Sequence, residues 1–128
     1  MALSLMISRV AEETDRIRSF QLSPVNGAEL PPFQAGAHIS VHLGNGLVRQ
    51  YSLANDPMVR DHYLVAVLRE PQSRGGSAWI FDNWKTGDRI EVEPPANHFP
   101  LAMGARHYLL IAGGIGIAPL LSMAHVLR

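Results

Sequence analysis

The sequence predicts a mainly β chain: a small antiparallel barrel over roughly the first hundred residues, then a strand–turn–helix unit of α/β type. Three observations carry this. Short apolar segments alternate with turn residues through the first part, with little helical periodicity. Eleven glycines and nine prolines mark the connections. Near the C-terminus the pattern switches to a continuous apolar run, a glycine turn and an apolar helix.

Leu5 to Val10 and Ile17 to Leu22 read as strands. Gly36 to Leu43 places Ala37, Ile39, Val41 and Leu43 on one face at period two, a half-buried strand. Gly44-Asn-Gly46 supplies a tight hairpin turn into a strand over Leu47 to Leu53. Tyr63 to Leu68 and Ile90 to Val92 are two more strands. Between them, Ala78 to Trp84 reads as a short helix, with Ser77 as its N-cap and Arg74-Gly-Gly-Ser77 turning the backbone into it. Tyr108 to Ala112 has the apolar continuity of a parallel strand buried on both faces. Gly113-Gly-Ile-Gly116 follows, Pro119 opens the next helix, and Leu120 to Leu127 continues it. The expected domains are therefore 1–102, a barrel, and 103–128, the start of a dinucleotide-type α/β domain. One strand and one helix cannot bury their own faces. The remainder is expected to have been removed or to come from another chain, unless the tail packs on the barrel.

The 128 residues can bury a core without staples, and 47% hydrophobic with 17% charged residues describes a folded globular chain. Eleven basic residues balance eleven acidic ones, and no basic run is interleaved with aromatics, so no nucleic-acid partner is expected. The absence of cysteine excludes disulfides, thiolate metal sites and a cysteine nucleophile within these residues. No signal-peptide pattern opens the chain and no apolar run is long enough to span a bilayer; the expected compartment is the cytoplasm, with no membrane contact.

Three segments carry candidate chemistry. In Arg49-Gln50-Tyr51-Ser52-Leu53, Arg49, Tyr51 and Leu53 share one strand face and Gln50 and Ser52 the other. A guanidinium beside a phenol can grip a phosphate and lie against an aromatic ring, although an exposed barrel strand with an amphipathic tyrosine reads equally well from these residues alone. Gly75-Gly76-Ser77 is either a simple turn or a helix start that presents amides and a hydroxyl to an anion. Gly114 and Gly116, ahead of Pro119, lack the third glycine of the usual dinucleotide fingerprint; they suit a tight connection or close approach to a flat ligand. The coincidence of the three favours a cofactor.

Arg49-x-Tyr51-Ser52, Gly75-Gly76-Ser77 and Gly113-Gly-Ile-Gly-Ile-Ala-Pro119 resemble, in order and spacing, the ferredoxin reductase-like flavoenzymes. Arg49 to Asp56, Arg74 to Ser77 and Pro95-Ala-Asn-His-Phe-Pro-Leu101 are most similar to the phthalate dioxygenase reductase and vanillate demethylase reductase subfamily. The resemblance covers essentially the whole chain. It implies a six-stranded Greek-key barrel holding a flavin, FMN in this subfamily and FAD in most of the wider family. It also implies NADH as electron donor, a 2Fe-2S centre in a part not present here, and a Rieske-type oxygenase as partner. Arg49 would neutralise the flavin phosphate, Tyr51 would pack on the flavin and Ser52 would approach its reactive edge. Gly76 and Ser77 would meet the phosphate; Ala66, Val67 and Leu68 would lie on a strand giving backbone contacts. Gly114, Gly116, Ala118 and Pro119 would lie beside the nicotinamide site. Two positions depart from the pattern: Ala118 stands where threonine is common, and Leu68 where lysine can occur. Hydride transfer needs no side-chain acid or base, so no catalytic residue is assigned. The alternative of another class is a non-catalytic remnant or barrel interaction module.

Six histidines raise a metal reading. His38 and His42 share a strand face but stand about 13 Å apart, too far for one ion with ligand distances of about 2 Å. No metal site is expected. Trp79 and Trp84 read as packing residues.

Overall fold

A computed structural model describes residues 2–72 and 74–128. Six strands form one antiparallel sheet: β1 (Leu3–Glu12), β2 (Ile17–Pro24), β3 (His38–His42), β4 (Val48–Ser52), β5 (Tyr63–Leu68) and β6 (Arg89–Val92). Their spatial order is β4-β3-β6-β1-β2-β5. Consecutive strands pair as hairpins in β1–β2 and β3–β4, whereas β6 inserts between β1 and β3, with Val92 opposite both Leu3 and Val41. The sheet curls like a barrel but is not closed by a ladder between its end strands.

Period-two alternation fills the interior. Leu5 and Ile7, Phe20 and Leu22, Ile39 and Val41, Val65 and Val67, and Val92 are all but inaccessible to water. Helix α1 (Ser77–Asn83) covers one mouth of the barrel with Ile80, and Trp84 follows it to meet Phe20 edge-on at 5.1 Å. Both indole N–H groups, of Trp79 and Trp84, donate to the Leu43 carbonyl at 3.0 and 3.3 Å, tying α1 to the end of β3. This is the packing role expected of them.

Two local expectations are corrected. Ser77 is not the N-cap of α1: Gly76 occupies that position, and Ser77 is already helical, its Oγ accepting from the Glu70 N–H at 3.0 Å. Tyr108 to Ala112 forms no ladder, and Leu109 and Ile111 are 83% and 79% exposed. A parallel strand buried on both faces needs a neighbour on each side, and the described residues supply neither. Beyond it, a 3₁₀ turn over Gly114–Gly116 leads into α2 (Ile117–Leu127), which starts two residues ahead of Pro119 and buries Ala118, Ser122 and Met123. Among the described residues no helix is long and apolar enough to cross a membrane.

Candidate functional site

The two end strands meet along only part of their length. Just past β4, the Ala54 N–H donates to the Leu64 carbonyl at 2.8 Å and the Leu64 N–H donates to Asn55 Oδ1 at 3.1 Å, stitching the edges together. Further along they part, and a groove of about 690 Å³ opens between them. As end strands, β4 and β5 each have one side of the backbone without a strand partner.

Arg49, Gln50, Tyr51 and Ser52 line one wall, and Ala66 and Leu68 the other. Gly76 and Ser77 close one part of the groove; Gly116, Ala118 and Pro119 approach it from the tail. Four candidates do not line it: Leu53 and Val67 point into the core, fully buried, and Gly75 and Gly114 lie outside the lining. Four further residues line the groove that their spacing did not single out: Glu70, Gln72, Arg74 and Ile115. Glu70, Gln72 and Arg74 sit on the connection from β5 to α1, whose path is set by where α1 docks. Both family departures, Leu68 and Ala118, face the groove.

Local chemistry positions each polar group. Asn45 Oδ1 accepts from the Leu47 N–H within the β3–β4 turn, while Asn45 Nδ2 donates to the Gly75 carbonyl at 3.0 Å. The hairpin tip thus holds the glycine loop beside β4. A Cβ built on Gly76 would stand 3.1 Å from Arg49 Nε, so the lack of a side chain there leaves the guanidinium its place. Among the described residues Arg49 forms no ion pair; the one hydrogen bond of its guanidinium is donated to the Val48 carbonyl at 3.0 Å. Ser77 Oγ accepts from the Glu70 N–H, and its own proton is left for an incoming acceptor. Burial raises the Tyr51 pKa above its ordinary value, with Arg49 opposing and Glu70 reinforcing the shift. Its phenol therefore stays neutral. The ensemble is a cationic, hydroxyl-bearing end next to a neutral aromatic wall, which suits an anionic group attached to a flat ring.

A smaller cavity of about 240 Å³ adjoins the groove, shares Gln50 and Ser52 with it, and is completed by Gly36, His38, His98 and Phe99. Its walls are firmly placed. Gly36 has φ +100°, and a Cβ there would strike the Phe99 carbonyl. Asn97 Nδ2 donates to the Ala35 carbonyl at 3.1 Å, and Asn97 Oδ1 accepts from the Phe99 N–H at 2.9 Å. His42, at the far end of β3, pairs instead with Glu93 at 3.0 Å.

No family model matches the chain. The chain is 52% identical over 124 residues to vanillate O-demethylase oxidoreductase of Pseudomonas putida, covering 97% of this chain and 39% of that protein. It is 47% identical over 126 residues to phthalate dioxygenase reductase of Burkholderia cepacia, covering 98% and 39%. A solved structure of phthalate dioxygenase reductase, described as modular for electron transfer from pyridine nucleotides to 2Fe-2S, superposes with a TM-score of 0.94 at 46% identity. It covers 97% of this chain and 39% of that one. The chain thus spans about two fifths of the length of these relatives.

Proposed function

We propose that this chain, which belongs to the ferredoxin reductase-like reductases of the phthalate dioxygenase and vanillate demethylase type, holds a flavin in the groove between β4 and β5. The observation that carries the reading is the convergence, in one open groove, of an Arg49 guanidinium without a carboxylate partner among the described residues, the Gly76–Ser77 helix start beside it, and the neutral Tyr51 wall. Arg49 and Ser77 bind the flavin phosphate, Gly76 lets it approach, and Tyr51 packs on the ring. Ser52 and the unpaired edge of β4 meet the polar rim of the ring. We infer FMN in preference to FAD: the Gly76–Ser77 helix start, with Arg49 beside it and Arg74 also lining the groove, forms one phosphate site.

In this reading residues 1–102 are the flavin-binding domain and 103–128 open a nicotinamide-binding domain, with Gly116, Ala118 and Pro119 beside the nicotinamide. The bound flavin supplies the redox chemistry, accepting hydride from NADH and releasing single electrons to a 2Fe-2S centre and on to a Rieske-type oxygenase. The protein's own work is to orient the ring and tune its potential.

The test is direct. FMN or FAD added to the purified chain is expected to bind, with quenched fluorescence, and acid release followed by mass measurement identifies which is retained. Arg49→Ala is expected to weaken binding about 10- to 100-fold, the range for losing a charge-assisted hydrogen bond, without altering the unfolding midpoint. A colourless chain that ignores both flavins overturns the reading.

A further inference from the structure

The small cavity beside the groove contains two imidazoles that the proposed function does not use. His38 is the cross-strand partner of Ser52, so the two side chains emerge on the same face of the β3–β4 hairpin. The backbone of His38 exchanges two hydrogen bonds with Ala96, at 2.8 and 3.0 Å, and Asn97 clamps the next residues. These bonds bring His98 to His38 with ring centroids 5.2 Å apart at an interplanar angle of 61°. Among the described residues neither ring makes a hydrogen bond or ion pair with a protein group. Two contacting imidazoles without partners, on a wall shared with a ligand groove, are an arrangement that structure alone does not require.

We propose that His38 and His98 form a proton-binding pair whose protonation is linked to the redox state of the ring held in the adjoining groove. The inference rests on the flavin reading of that groove. Hydride delivery brings two electrons and one proton, leaving the ring one unit more negative. The pair takes one proton from solvent to offset that charge. As two electrons leave singly for the acceptor, the ring sheds its own proton and the pair returns its proton to solvent. His38 is a positioning residue here, acting through electrostatics and not on the reacting atoms.

The surroundings favour uptake of one proton by the pair, since two charged imidazoles in contact would repel. From β4, the facing residues Gln50 and Ser52 carry no charge; from residues 96–99, His98 is the titratable group; His42 on β3 is turned to Glu93. Arg49 and Glu70 line the groove and not this cavity. Burial and the proximity of His98 hold the His38 imidazole below its ordinary value. It is therefore largely neutral at pH 7 and has capacity to accept a proton when negative charge arrives.

Proton NMR titration of the histidine ring resonances in the full chain, loaded with FMN (or with FAD if only that is taken up), tests this in the oxidised and dithionite-reduced forms. Reduction is expected to tighten proton binding by the pair about tenfold, the scale of one added charge close by. His98→Gln is expected to raise the His38 titration in the oxidised form, because the neighbouring positive charge is gone. In His38→Gln the flavin midpoint potential is expected to vary less with pH over roughly pH 5.5 to 7.5 than in the parent, a readout that a packing role would not move. Flavin uptake with His38 and His98 titrating alike in both redox forms overturns this inference alone. Failure to take up either flavin overturns the groove assignment, and this inference with it.

Discussion

The barrel and the tail carry equally apolar sequence but use it differently. In β5, Tyr63, Val65 and Val67 are buried at every second residue between β2 and the core. In 108–112, Leu109 and Ile111 stand almost wholly in solvent. Strand β5 finds its antiparallel partner in β2, far back in the chain but within the described residues, and its apolar face closes on residues of the same sheet. A buried parallel strand depends on neighbours that a hairpin cannot provide. Apolar composition therefore states a demand for burial, and topology decides whether the described residues meet it.

The largest expected effect tests the barrel side of that contrast. Phe20 is fully buried and packs edge-on against Trp84, the residue that follows α1. Phe20→Ala is expected to cost about 3–5 kcal/mol, through lost burial and the cavity left behind, measured as the change in urea unfolding free energy. Much of a small domain's total stability would go with it.

An intermediate effect sits where a polar atom meets the same core. Tyr63 is 1% exposed, yet its hydroxyl donates to the Pro31 carbonyl at 2.7 Å. Burial pushes its pKa up to about 12 from 10.0, against the pull of Arg60. The fold thus favours the neutral phenol, and the stability this lends is fully present below pH 10 and lost as pH rises toward 12. Denaturation at pH 7 and pH 11.5 is expected to show a decline of up to about 2 kcal/mol attributable to Tyr63. Tyr63→Phe is expected to cost about 1 kcal/mol at pH 7, since the Pro31 carbonyl loses its donor, and to flatten the alkaline decline.

The contrast also explains what could be read in advance. Strand β5 was legible to its end residues because alternation, valine content and flanking turns agree over Tyr63–Leu68. The β3–β4 hairpin was legible for the same reason, with Gly44 and Gly46 both at positive φ. Of the groove, the part lying on regular structure was visible in part: Arg49 and Tyr51 follow from strand periodicity, whereas Ser52, on the opposite face at period two, came only from the family resemblance. Glu70, Gln72 and Arg74 were not visible, because their position depends on how the β5–α1 connection is drawn over the barrel by the two tryptophan bonds to Leu43. The start of α1 shifted for a local reason: Gly76 takes the N-cap position, and Ser77, already in the first turn, turns its Oγ to the Glu70 N–H. The His38–His98 contact joins residues 60 apart in sequence through the Ala96 bridge, and no local pattern announces it.

The smallest expected effect tests the tail. If the apolar side chains of 109 and 111 are as unsupported as their exposure indicates, replacing both by serine removes almost no buried area. Leu109→Ser with Ile111→Ser is expected to change unfolding free energy by no more than about 0.5 kcal/mol, the range for exposed positions. Amide exchange supplies an independent reading of the same contrast. The N–H groups of β5, paired with β2 from Tyr63 to Leu68, are expected to exchange only through large-scale opening, whereas those of 109–112, outside any ladder, exchange at nearly unprotected rates. A loss of more than about 1 kcal/mol in the double variant, or slow exchange across 109–112, would show that this face is covered in solution and that the tail is packed as firmly as the barrel.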